Sequence, residues 1–535
     1  MDGFAIATSM VAGLGLFLYG LHLMAAGLQK AAGDKMRNLL EVLTKNPISG
    51  VMVGTVVTVI VSSSSATTVM VIGFVNAGLM TLKQAVGVIL GANIGTTFST
   101  QLISFNLNQF APFAIGIGVV LILFGKKKKI RDIGEIVLGF GILFFGMNFM
   151  SDAMRPLRSY QPFIELIASF AQHPLLGVLV GAAFTALIQS SSGTTAIVVA
   201  LSTQGLINLE SAIPLILGSN IGTCITAGLA SIKTSLASRR TALAHVLFNI
   251  AGSILFLFLL KPFAAIAAMT SPLVHREIAN AHTIFNLFNT IVVLPFITPF
   301  VNLITKIIPG EDALKDEFAT LYLDRMLLEN PSIALGQATR EIVRMGELSR
   351  EALEMAVQGL YTGDEGIIEG AKKKEELVNY LEREIMSYLV ETSQQSMTDN
   401  QSKRLNYLFE CTNDIERIGD HADNIAELAE YKIENGLEFT EIAMEELKEM
   451  YTVIREMIDD SLVVIKDKNL ELSRKVYEKE KLVDLMEQQL RKSHISRVSE
   501  GLCNPRAGIV FLDTISNFER IADHSNNICV RVRSL

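Results

Sequence analysis

Long apolar runs separated by short polar interruptions fill the chain up to about residue 310, and the pattern changes there. A helix needs about 20 mostly apolar residues to cross a bilayer. Runs of that kind lie near 4–28, 50–77, 84–104, 110–125, 134–152, 175–201, 210–231, 241–261 and 282–308. So many in one half exclude a water-soluble core and predict a polytopic membrane domain. Shorter amphipathic stretches fill 28–50 and 153–174. After Gly310, apolar residues recur at three- and four-residue spacing, which predicts soluble helices near 317–366, 370–394, 401–432, 441–467, 470–497 and 506–533. The expected fold class is all-α, with a membrane domain over 1–310 and a soluble helical domain over 311–535.

Two apolar runs are interrupted by hydroxyl-rich stretches. Ser62-Ser63-Ser64-Ser65-Ala66-Thr67-Thr68 aligns with Gln189-Ser190-Ser191-Ser192-Gly193-Thr194-Thr195 at an offset of 127. The same offset pairs Leu90-Gly91-Ala92-Asn93-Ile94-Gly95-Thr96-Thr97 with Leu217-Gly218-Ser219-Asn220-Ile221-Gly222-Thr223-Cys224. Buried hydroxyls and amides cost free energy unless something pairs with them. One serine run alone reads as small-residue helix packing. Two copies at one offset, each with its own Gly-x-Asn-Ile-Gly-Thr segment, point to a site shared between repeats of about 4–125 and 134–261. A last helix follows at 282–308. Ala244-His245-Val246-Leu247-Phe248-Asn249 echoes Ala281-His282-Thr283-Ile284-Phe285-Asn286, which reads first as polar contact between packed helices.

Charge divides the chain at the same point. Residues 1–310 hold 18 Lys and Arg against 9 Asp and Glu, and the remainder holds 28 against 45. Basic clusters at Lys30, Lys35, Arg37 and Lys45, at Lys126 to Arg131, and at Arg239 and Arg240 mark cytoplasmic loops. If all three are cytoplasmic, one segment between Lys45 and Lys126 must be re-entrant or broken, and another between Arg155 and Arg239. Each interval contains one Ser/Thr-rich stretch. The N-terminus is then external and the acidic half cytoplasmic. Gly15 to Gly20 echoes Gly141 to Gly146 on helices of opposite expected direction, so the repeats are inverted, an architecture of secondary transporters. The start of the chain, lacking a basic n-region, reads as a retained spanning helix. Cys224, Cys411, Cys503 and Cys529 form no metal spacing, and a reducing compartment fits them.

The apolar segments contain almost no carboxylates, which argues against a proton relay. Their mid-depth groups are Ser, Thr, Asn and Gln. Such oxygens coordinate a hard monovalent cation, and hydroxyls and helix N-terminal amides donate to an anion. The chemistry suits an oxyanion held together with Na⁺. No Walker A, HExxH or Gly-x-Ser-x-Gly motif occurs, so no enzyme is expected.

With these motifs the first 310 residues resemble the sodium-dependent phosphate cotransporter family of the type II kind. The resemblance implies Na⁺-driven phosphate import with both ions bound between opposed broken or re-entrant helices. By position it implies Gln189, Ser190, Ser191, Ser192, Thr194 and Thr195 as ligands, with Ser63, Ser64, Ser65, Thr67 and Thr68 facing them. Asn93, Thr96, Asn220 and Thr223 would complete or brace the sodium shell. Ser62 stands where the family has Gln. The acidic half resembles PhoU domains through Glu416-Arg417-Ile418-Gly419-Asp420-His421-Ala422-Asp423-Asn424-Ile425 and its copy from Glu519 to Ile528, giving three-helix halves of about 317–435 and 440–535. That resemblance implies regulation. It also raises a divalent or iron site at Glu410 with Asp414 and at Asp513, residues that read equally as ordinary surface, with Asn517 departing from the pattern. Arg417, Asp420 and His421 read as an inter-helix polar network.

The expected function is sodium-coupled phosphate import by alternating access in the plasma (inner) membrane of a prokaryote. The expected partners are phosphate, Na⁺ and the lipid bilayer, with no nucleic acid. Homo-oligomerisation and a cytoplasmic regulatory partner stay open. The alternatives are a phosphate sensor without net flux and a Na⁺-coupled carrier of another anion.

Overall fold

A computed structural model describes residues 3–32, 46–105, 107–232, 234–310, 318–328 and 330–532. Lys35, Arg37 and Lys45 of the first basic cluster, and Glu311 and Asp312 at the charge boundary, lie outside the described residues. The chain divides into two compact units, Met1–Ala313 and Leu314–Leu535. The described residues of both are helical, without strands.

The first unit opens with α1 (Gly3–Ala32), α2 (Pro47–Val61), α3 (Ser64–Asn76), α4 (Leu82–Ser104), α5 (Ala111–Phe124) and α6 (Lys128–Ala153). It continues with α7 (Gln161–Gln172), α8 (Pro174–Ile188), α9 (Ser191–Thr203) and α10 (Leu209–Ala230). It closes with α11 (Leu236–Phe258), α12 (Leu260–Ala268), α13 (Val274–Val293) and α14 (Ile297–Ile307). Among the described residues, six stretches are long and apolar enough to cross a membrane: Gly3–Ala31, Leu82–Ser104, Lys128–Ser159, Leu209–Ala230, Leu236–Phe258 and Val274–Ile307. The runs at 50–77 and 175–201 are therefore not continuous spans. Each breaks at its hydroxyl-rich stretch, and α5 is also shorter than a typical span.

Glycines set how these helices pack. A Cβ on Gly54 would strike the carbonyl of Val88, and one on Gly91 that of Val51. At the same offset of 127, Gly181 meets the carbonyl of Leu215 and Gly218 that of Val178. The register shows that α2 runs parallel to α4, and α8 parallel to α10. Only a short connection separates α3 from α4, so α3 must return to the end where α2 began. The segment α2–α3 is thus a re-entrant hairpin, and α8–α9 repeats it.

The repeats' leading helices pack directly. Gly13, Gly20 and Gly27 of α1 lie against Gly146, Gly139 and Asp132 of α6, so the two run antiparallel. The two repeats are inverted about that contact. The echo at His245 and His282 belongs to the same symmetry. Helix α11 packs on α10, α4 and α3, while α13 packs on the counterparts α4, α10 and α9.

The second unit is built from α15 (Pro331–Thr362), α16 (Glu365–Ser393), α17 (Asp399–Glu434), α18 (Glu441–Asp467), α19 (Leu470–Ser499) and α20 (Pro505–Arg531). The first helix begins at Pro331 and not near 317. Proline is tolerated in a first helical turn, and the Asn330 side chain caps Ile333 N–H there. Helices α15–α17 and α18–α20 form two three-helix bundles, which meet through α17 and α20 over one apolar core.

Candidate functional site

Both hairpins turn in the same backbone conformation. Ser62 and Gln189 close α2 and α8 in the left-handed region, at φ 54° and 53°. Non-glycine residues adopt that region infrequently, and such strain concentrates at functional sites. Ser63 and Ser190 follow in extended conformation and cap the returning helices by accepting from Ala66 N–H at 3.2 Å and Gly193 N–H at 3.1 Å. A helix N-terminus leaves its first N–H groups without intrahelical partners, and the cap uses only one. The first turns of α3 and α9 therefore offer N–H dipoles suited to an anion.

Hydroxyl pairs pin each hairpin. Thr58 donates to Thr67 at 3.0 Å, and Thr185 meets Thr194 at 2.6 Å. Thr67 and Thr194 also donate back to the carbonyls of Ser63 and Ser190. These threonines hold the turns, and their hydroxyls are largely occupied. Thr68 and Thr195 are also symmetry mates, and the Oγ1 of each is buried without a protein partner. Ser64, Ser191 and Ser192 are buried. Ser65 accepts from Thr226 of α10 at 3.1 Å, joining the first hairpin to a helix of the second repeat.

The two turn residues differ. Ser62 donates to the carbonyl of Val59 in its own helix at 3.3 Å. Gln189 is exposed. Asn93, Thr96, Asn220 and Thr223 line α4 and α10 as buried residues. Thr96 and Thr223 donate to Ala92 and Ser219 one turn back. The residues that sequence reasoning underweighted are the histidines. His282 of α13 contacts Thr100 of α4 at 3.0 Å and Asn220 of α10 at 3.1 Å, so one imidazole ties the two repeats together. The echo of His245 and His282 is the sequence signal for it, although such an echo also fits polar contact between packed helices.

In the acidic unit the symmetry is equally direct. His421 contacts Asn517, and His524 contacts the corresponding Asp414, with the rings 5.7 Å apart. Burial pushes the His421 imidazole below its ordinary value. Arg417 pairs with Glu416 and Asp420, and Arg520 with Glu519 and Asp523. Glu410 and Asp414 are each ion-paired with Arg531 through one carboxylate oxygen. Asp513 lines a cleft of about 580 Å³ with His421, Asn517 and Arg520. Three other carboxylates, Glu480, Asp484 and Asp523, lie within 4.8 Å of one another. Burial and mutual repulsion raise the first two above the usual carboxylate values. Such an all-oxygen set is of the type a hard divalent cation takes, and exposed acidic groups are also common without one.

Comparison with known proteins places the two units. The Na⁺/Pi-cotransporter family model matches residues 16–152 and 157–273, and the PhoU domain model matches 342–429 and 447–532. The chain is 24% identical over 492 residues to the putative inorganic phosphate export protein YjbB of Salmonella typhimurium, covering 92% of this chain and 90% of that one. It is 34% identical over 247 residues to the uncharacterized protein YqeW of Bacillus subtilis, covering 46% of this chain and 80% of the relative. Over 84 residues it is 52% identical to the sodium-dependent phosphate transport protein 2C of Rattus norvegicus, covering 15% and 14% of the two chains.

Proposed function

The chain belongs to the Na⁺/Pi-cotransporter family, with a PhoU domain following the membrane unit, and from that premise we propose that it carries inorganic phosphate inward together with Na⁺. The observation behind this reading is the pair of re-entrant hairpins. Each brings a left-handed turn, an open helix N-terminus and buried hydroxyls into an otherwise apolar repeat. Phosphate takes donors from the first turns of α3 and α9, at Ser63, Ser64, Ser65, Ser190, Ser191 and Ser192, and from the Gln189 amide. Na⁺ takes oxygens from Thr68, Thr195 and Asn93, with Thr67, Thr194, Thr96 and Thr223 bracing the helices. Sodium offsets anion charge that these neutral side chains leave in place.

The topology supports alternating access in a plasma membrane. A re-entrant hairpin adds no crossing. Helix α4 crosses between the first two basic clusters, and an even count there requires the shorter α5 to cross as well, whereas α10 alone separates Arg155 from Arg239. With α5 crossing, both counts suit cytoplasmic basic loops and a cytoplasmic acidic unit.

Export is a second reading, and the printed name of the Salmonella relative favours it. A coupled carrier runs in the direction its gradients dictate, so one machine serves both. Equilibrium binding combined with flux tests the proposal. Phosphate and Na⁺ should bind the purified chain, and the reconstituted chain should move phosphate across a vesicle membrane. Binding without flux would make the protein a sensor and overturn the carrier reading.

A further inference from the structure

We propose that His282 is a positioning residue that turns the Asn220 amide so that its NH₂ faces phosphate, while the matching Asn93 turns its oxygen toward Na⁺. This rests on the phosphate-carrier reading above and divides the paired asparagines between the two ions.

The hydrogen bonds carry the argument. Asn220 Oδ1 can only accept, so the His282 nitrogen 3.1 Å away, Nε2, is the donor. His282 Nδ1 then accepts from the Thr100 hydroxyl at 3.0 Å. The ring is fully committed and is 1% exposed. Its hold on Oδ1 leaves Asn220 Nδ2 as a buried donor without a protein partner, on a residue 5% exposed. A buried N–H₂ in that state requires an acceptor, and of the two ions only phosphate is one. Asn93 is oriented the other way. Its Nδ2 donates to the carbonyl of Ile89 at 3.2 Å, leaving the carbonyl oxygen as the group it can offer a cation.

The asymmetry has a sequence cause. The counterpart of Thr100 at the offset of 127 is Ala227. His245, the counterpart of His282, lacks that hydroxyl, and its Nδ1 is buried without a partner. Only one of the two histidines is braced on both sides.

The test is calorimetric titration of the full chain in detergent, with inorganic phosphate at saturating Na⁺ and with Na⁺ at fixed phosphate. Asn220→Asp replaces the donor with a carboxylate oxygen. It should weaken phosphate binding by about tenfold or more, the loss expected for one hydrogen bond to a charged group, and leave Na⁺ half-saturation within about twofold. Asn93→Asp should do the reverse. His282→Ala should weaken phosphate selectively, and His282→Gln, whose amide can still donate, should restore part of the loss. Asn220→Ala gives the same reading without added charge if the carboxylate perturbs folding. Phosphate affinity unchanged in both Asn220 variants, or Na⁺ affinity lost in its place, would overturn the assignment while leaving the carrier reading intact. A wild-type chain that binds no phosphate would overturn both.

Discussion

Thr226 donates to Ser65 across 3.1 Å, and that bond joins the first hairpin motif to a helix of the opposite repeat. A contact between repeats is where alternating access must be coupled. Thr226→Val keeps the shape and deletes the donor. Loss of one neutral hydrogen bond is worth about 1 kcal/mol, so phosphate turnover should change by about fivefold with folding intact. Initial rates in vesicles measure this, and an unchanged rate would remove the bond from the cycle.

The hairpins stand against their scaffold helices through glycine. In Gly181→Ala the new methyl meets the Leu215 carbonyl, and in Gly54→Ala that of Val88. Each should cost about 1–3 kcal/mol through overpacking. Gly116→Ala, which meets open space, should stay within about 0.5 kcal/mol. Thermal unfolding in detergent separates the two classes.

The turn residues should respond unequally. The Ser62 hydroxyl is spent on its own helix, whereas the longer Gln189 side chain is exposed. Gln189→Ala should lower phosphate affinity by about tenfold, as for a lost bond to a charged ligand, and Ser62→Ala by less than about twofold. Phosphate titration decides this, and equal effects would contradict the assignment of the amide.

Arg531 neutralises a buried acid. Asp414 is 4% exposed at its side chain and faces both Arg531 and His524. Arg531→Ala strands that carboxylate and should destabilise the acidic unit by about 3 kcal/mol. Glu410→Gln, at the exposed end of the same pair, should cost about 1 kcal/mol or less. Denaturant unfolding of the full chain, followed through the unit's tyrosines, gives both values.

The pH dependence has a definite sign. Burial holds the His421 imidazole below 6.5, so as pH falls the unfolded chain takes up the proton first. Stability present above pH 6.5 is lost as pH falls through the lowered folded value, and His421→Gln should flatten that limb. The raised carboxyls of Glu480 and Asp484 act oppositely, since stability is present at low pH and lost as pH rises through their folded values. Asp484→Asn should raise the melting temperature at neutral pH. A divalent cation should raise that of the wild type but add little to the variant. A melting temperature blind to the cation in both would leave the acidic trio without metal.

Much of this was legible in the sequence because the repeat is written in side chains. Hydroxyls inside apolar runs marked both breaks, and loop charges required a non-spanning segment in each interval. Sequence did not distinguish a re-entrant hairpin from a bent span, because parity constrains only the number of crossings. The contacts of Gly54, Gly91, Gly181 and Gly218 make that distinction. The role of His282 was hidden because it depends on Thr100, whose counterpart is Ala227 in an otherwise similar helix. The ion pair of Asp414 with Arg531 was hidden for a related reason: the two lie 117 residues apart along the chain.

The most direct test is phosphate uptake by the full chain in sealed liposomes with Na⁺ outside and choline inside. Uptake should rise above the equilibrium level, collapse when choline replaces Na⁺ outside, and vanish in Ser64→Ala and Ser191→Ala chains that still fold. Uptake indifferent to Na⁺, or undiminished in both serine variants, would contradict the account.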